Sequence, residues 1–143
     1  MLAGPIALML AAAFSGAAFY VNFAEQPARL GLDDRNLLKQ WKAAYAAGFV
    51  MQSTLAAMSG IFGILAAWMS QDWRWGIGAL LILANWPFTL IGIMPTNKRL
   101  DKIAETDAGP TSRALIEQWA KLHAVRTSLG VAATLAYLWV LSA

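Results

Sequence analysis

The chain contains no cysteine, one histidine and few charges, with Asp, Glu, Lys and Arg making up 13% of its 143 residues, where soluble domains carry about 25%. Without cysteine there can be no disulfide framework, thiolate nucleophile or cysteine-based metal site. A lone histidine cannot furnish the usual zinc ligand set, so carboxylates such as Glu25 would have to complete any metal centre. No Gly-rich phosphate loop, dinucleotide fingerprint or Ser-His-Asp spacing occurs, nor any repeat or low-complexity tract.

Apolar residues dominate instead, at 59%. Four stretches, Leu2 to Phe23, Ala43 to Met69, Trp75 to Met94 and Leu122 to Leu141, are each apolar for about the 20 residues that a helix needs to cross a bilayer. An integral membrane protein follows, all-α, with residues 1–143 forming a single four-helix domain. The first stretch lacks the Lys or Arg of a signal-peptide n-region and runs past the usual h-region length, so it is expected to be a retained helix. The net charge of +3 comes from basic residues beside span ends, which fits lipid headgroups better than nucleic acid.

Pro27 and Gly31 read as a break after the first helix, Asp33 as an N-cap, and Asp34 to Met69 as one long helix. Gln71 to Arg74 reads as a tight turn, Pro95 as the stop of helix three, and Thr96 to Glu105 as a short amphipathic helix at the interface. A fourth helix is expected from near Ser112 to the end of the chain, giving an up-down-up-down bundle. Arg29, Arg35, Lys39 and Lys42 crowd the first connection and Lys98, Arg99, Lys102, Arg113 and Lys121 the third, against Arg74 alone in the second. The positive-inside rule then places the first and third connections in the cytoplasm and both termini outside, with a bacterial inner membrane as the expected home. Trp68, Trp73 and Trp75 read as an aromatic belt at the outer interface.

Lipid leaves polar side chains few partners, so those within the spans are the functional candidates. Each helix carries a stripe of small and polar residues: Ser15, Ala18, Asn22 and Glu25; Gly48, Gln52, Ser59 and Gly63; Gly78, Asn85, Thr89 and Gly92; Trp119, His123, Arg126 and Gly130. Asn22, Gln52, Asn85, Thr89, His123 and Arg126 fall in one half of the membrane, with Glu25, Asn97 and Trp119 just above them. A polar pocket open toward the cytoplasmic interface is expected there. Arg126 needs water, headgroups or an anion; Glu25 and Glu117 are the available carboxylates, and pairing with Glu25 would tie helix one to helix four. His123, one turn away, suits a general base, and Arg126 could stabilise the enolate or phenolate formed as the proton leaves. Trp86, Trp119 and Tyr45 could stack on a flat ring, and Pro87 should kink helix three beside Asn85, Trp86 and Thr89. No bound cofactor is expected, although haem held by His123 with Met51 or Met94 stays open.

Asn22-Phe23, Trp86-Pro87, the run Pro95-Thr96-Asn97-Lys98-Arg99-Leu100, and Trp119 with His123 and Arg126 together resemble the anthrone oxygenase-like family of small four-helix membrane proteins, in order and over nearly the whole chain. That resemblance implies oxidation of polycyclic anthrones to anthraquinones by molecular oxygen without an obvious cofactor. It further implies that His123 takes the substrate proton while Arg126, Asn22 and Asn97 hold the oxyanion. The expected partners are thus the bilayer and a small, largely apolar, aromatic or quinone-like molecule. The rival reading is a non-enzymatic transporter or assembly factor whose bundle forms homo-oligomers through Gly and Ala faces. Glu25 sits at the end of helix one, where the mid-helix carboxylate mechanism of small multidrug exporters does not fit.

Overall fold

A computed structural model describes residues 1–143. Four rods, α1 (Ala3–Leu30), α2 (Asp34–Ser70), α3 (Arg74–Lys102) and α4 (Pro110–Ser142), are each long and apolar enough to cross a bilayer. This is the build of a multi-pass membrane protein. Each rod packs on its sequence neighbours, and α1 closes the ring against α4. The arrangement is the expected all-α, up-down-up-down bundle.

Local chemistry sets the ends of the rods. The Asp33 carboxylate accepts the Asn36 backbone N–H at 3.1 Å and the Asn36 side-chain amide at 2.6 Å, capping α2. Gln71, in the left-handed region at φ 53°, ends that helix. Asp72 accepts the Arg74 backbone N–H at 3.0 Å and pairs with its guanidinium, which starts α3. Ser112 caps α4 from inside its first turn, with its hydroxyl accepting the Gly109 N–H at 3.0 Å.

Two prolines do not break helices as their sequence context predicts. Pro27 lies two residues past a π-helical turn, Val21–Glu25, and α1 continues to Leu30. Pro95 lies two residues past a second π turn, Thr89–Ile93, and the amphipathic segment Met94–Lys102 continues α3 instead of lying apart from it. A proline lacks an amide hydrogen and crowds the carbonyl four residues back. A wider turn just upstream relieves that crowding, so the rod survives. Pro87 does interrupt α3, which separates at Ala84 into Arg74–Leu83 and Asn85–Phe88.

Two apolar clusters fill the bundle. One joins the Ala3, Ala7, Ala11 and Ala18 seam of α1 to Phe14, Trp75, Ile82 and Tyr137, and the other joins Leu37, Leu38 and Trp41 to Ile93, Leu100, Ile116 and Trp119. The polar candidates lie between these clusters, as with Asn85 and Thr89 between Ile82 and Ile93, except Asn97, which sits beside the second cluster between Ile93 and Leu100. Trp68 and Trp73 are exposed as an interfacial belt requires, but Trp75 is not part of it. Its ring is buried, tilted against Tyr137 at 5.8 Å.

Tyr137 dictates two glycines. A Cβ on Gly63 would strike its hydroxyl first and one on Gly78 its ring. Gly63→Ala and Gly78→Ala should each cost about 1–3 kcal/mol of overpacking, read by thermal unfolding in detergent. Adding Tyr137→Phe should recover part of the loss for Gly63→Ala and none for Gly78→Ala. A second expectation concerns Asp33, whose carboxyl is held below its ordinary pKa by its bonds to Asn36. A depressed native pKa stabilises the fold above the ordinary carboxylate range and stops doing so as pH falls through the native value. Asp33→Ala should therefore lower the melting temperature at neutral pH, and the gap to the unmutated chain should shrink on acidification.

Candidate active site

A cavity of about 300 Å³ lies among α1, α2 and α4, at the lower end of the range for small-molecule sites, about 300 to 1,000 Å³. Its walls are largely apolar, formed by Ala17, Tyr20 and Val21 on α1 and by Ala44, Tyr45, Gly48, Phe49 and Met51 on α2. Its polar groups are Glu25, Arg29, Gln52, His123 and Arg126, with Trp119 beside them. Tyr45 stacks on Trp41 at 4.9 Å, Trp41 meets Trp119 edge-on at 5.9 Å, and Trp119 tilts against His123 at 4.9 Å. These stacked rings fix one wall.

His123 is 2% exposed and held from behind. Its Nδ1 lies 2.8 Å from Asn22 Oδ1, which also accepts the Thr127 hydroxyl at 2.7 Å. Asn22 Nδ2 donates to the Ala120 carbonyl at 2.9 Å. That carbonyl can only accept, so the amide nitrogen must face it and Oδ1 must face the imidazole. Nδ1 therefore carries the hydrogen, and Nε2 keeps the free lone pair. Asn22 belongs to the first π turn, so the same bulge that accommodates Pro27 delivers the residue that orients His123.

Arg126 is 7% exposed and forms neither an ion pair nor a hydrogen bond. Its guanidinium lies 5.6 Å from the Phe14 ring centre. Neither available carboxylate neutralises it: Glu117 forms no ion pair, and Glu25 pairs within α1 with Arg29 and accepts the Gln40 amide at 3.1 Å. One helical turn puts Arg29 within reach of Glu25, while Arg126 projects from α4 toward Phe14 and the cavity. Arg29 and Glu25 cancel, leaving the cavity one uncompensated positive charge. Arg126 also walls a second chamber of about 10 Å³, with Phe49, Ser53, Asn85, Trp86 and Thr89. Asn85 Oδ1, Thr89 Oγ1 and Arg126 Nε lack partners there, and the space matches about one water molecule.

The residues singled out in the sequence thus separate into three groups. Glu25, Gln52, Trp119, His123 and Arg126 line the main cavity, with Asn22 behind His123. Asn85, Trp86 and Thr89 line the small chamber on the far side of Arg126. Asn97 is buried with both amide atoms unpartnered and lines neither. Sequence reasoning missed Gln26 and Arg29, both buried; Arg29 sits 5.6 Å over the Trp119 ring. They continue the Asn22 face at helical spacing, a signal hidden by reading Pro27 as a break. No three His, Asp or Glu side chains gather as a metal-ligand set. Met51 does line the same cavity as His123.

A family model described as "Anthrone oxygenase" matches residues 41–136. The chain is 28% identical over 141 residues to "Anthrone oxygenase" of Claviceps purpurea (strain 20.1), covering 89% of this chain and 81% of that one. It is 34% identical over 104 residues to "Anthrone oxygenase nsrD" of Aspergillus novofumigatus (strain IBT 16806), covering 66% of this chain and 64% of that one. No solved structure matches. The matched region holds most of α2, all of α3 and most of α4, with Gln52, Trp119, His123 and Arg126 inside it, and by that match the chain belongs to the anthrone oxygenase family.

Proposed function

We propose that the main cavity binds a flat, largely apolar aromatic ketone and that the chain oxidises it with molecular oxygen, as an anthrone oxygenase. His123 is the base. The observation that carries this reading is the bond from His123 to Asn22, which leaves Nε2 as the basic nitrogen of a side chain lining the cavity. A methylene between two aromatic rings and conjugated to a carbonyl is acidic because its charge spreads to the carbonyl oxygen. Nε2 removes a proton from that carbon, and Arg126 meets the oxyanion that develops, in a site where charge interactions are little screened. The carbanion supplies the electrons that reduce dioxygen, so this reading calls for no bound cofactor. In sum the methylene loses two hydrogens and gains one oxygen atom, and the other oxygen leaves as water.

Asn22 serves here as a positioning residue, in place of the oxyanion role that the family resemblance implied. The aromatic wall of Tyr45 and Trp119 supports ring stacking on the substrate. The Lys- and Arg-rich connections border the cavity end of the bundle, which supports a cavity in the cytoplasmic half of the membrane with both termini outside.

Oxygen uptake with anthrone in proteoliposomes tests the assignment. His123→Ala should lower kcat by about 10²-fold or more, with helical content and melting temperature retained. Asn22→Ala should lower kcat with little change in KM, because it misdirects the base without touching the substrate. Arg126→Gln should lower kcat as well, and undiminished uptake by the His123→Ala protein would remove the catalytic claim.

A further inference from the structure

The main cavity is not sealed, and its opening has a definite direction. Among its lining residues only Tyr20 and Met51 are exposed, at 60% and 49%. They stand on α1 and α2, whereas the polar lining residues Gln52, His123 and Arg126, and Trp119 beside them, are buried. Both lie within the apolar stretches of their helices. The side chains around them, Phe19, Phe23 and Val50, are exposed and apolar. Water would be a poor neighbour for that rim, and acyl chains a good one.

Gly48 lines the same cavity, is half-buried, and behaves unlike the buried glycines of the same helix. Gly60 and Gly63 are required by packing, since a Cβ on either would strike Leu83 or Tyr137. Around Gly48 nothing lies within 4 Å of the position a Cβ would take. Glycine in a helix interior costs about 1 kcal/mol relative to alanine, and at Gly48 no neighbour offsets that cost. The space its missing side chain leaves is cavity, flanked by Ala17 and Ala44, which are also small.

We propose that the substrate enters sideways from the hydrocarbon layer, between α1 and α2, and that Gly48 sets the width of aromatic system admitted. The inference rests on the cavity being the substrate site, as argued above, and not on the chemistry that follows. A tricyclic ketone already dissolved among lipid tails reaches Arg126 and His123 without crossing the headgroups. The polar floor then selects those molecules that can present an oxygen to a cation.

Two measurements test it. Binding of anthrone and of phenol to protein in lipid nanodiscs is read by quenching of tryptophan fluorescence. Gly48→Leu should weaken anthrone binding by more than about tenfold, the penalty a pocket exacts for a group it has no room for, keep phenol binding, and match or exceed the unmutated melting temperature. Unchanged anthrone affinity in Gly48→Leu overturns the proposal, as does absence of anthrone binding by the unmutated chain. Anthrone binding that depends on Gly48 without any oxygen uptake removes the oxygenase reading and leaves the portal standing. In the second measurement Met51→Cys supplies the only thiol. A lipid-soluble maleimide should label it, and labelling by a charged, membrane-impermeant thiol reagent from either side would mark a water-filled mouth and overturn the proposal.

Discussion

Arg126 brings a positive charge into an apolar bundle where no carboxylate meets it. A guanidinium at the centre of a span costs about 3 kcal/mol even by the milder insertion scales, and one buried nearer the interface without an anion still carries part of that cost. The nearest anion in the same cavity, Glu25, is held by Arg29 and Gln40. The charge of Arg126 is therefore available to whatever occupies the space in front of it. A cavity with apolar walls and one free cation at its floor complements an aromatic molecule whose negative charge appears only on deprotonation. In the proposed reaction the resting protein bears the cost and the substrate oxyanion relieves it, which is the sense in which a site favours a transition state over a ground state.

That expense is tolerable because packing is concentrated elsewhere. The alanine seam of α1, with Phe14, Ile82 and Tyr137, closes one end of the bundle, and Trp41, Leu100, Ile116 and Trp119 close the other. The polar layer lies between two well-filled regions. It can hold unpartnered atoms on Gln52, Asn85, Thr89 and Arg126 while the rods on either side fix its geometry. The stacked rings of Tyr45, Trp41 and Trp119 carry order from the second cluster to His123.

Much of the fold was legible in the sequence because the bilayer imposes a length and a hydropathy that few other environments require. The four spans and the common depth of Asn22, Gln52, His123 and Arg126 follow from such counting, and the Asp33 cap from the side chains that satisfy free helix amides. Three features did not. Pro27 and Pro95 carry the ordinary signal for a helix end, and only the widened turns before them, which have no sequence signature of their own, reveal that the rods continue. The pairing of Glu25 with Arg29 instead of Arg126 turns on that same continuation, since α1 had to extend past Pro27 before Arg29 could face the cavity. Trp75 shows the third difficulty. Three tryptophans near one turn look alike in sequence, but helical phase sends two outward and one into the core.

The widened turn in α1 amounts to one surplus residue in an otherwise regular rod. One residue corresponds to about 100° of rotation about the helix axis, so Gln26 and Arg29 are aimed by that surplus independently of the alanine seam below it. In most spanning helices a one-codon insertion or deletion would scramble every interface beyond it. At Val21–Glu25 the register is already broken, and a residue gained or lost there would swing the charged end of the rod over a different part of the cavity while the alanine seam stays in place.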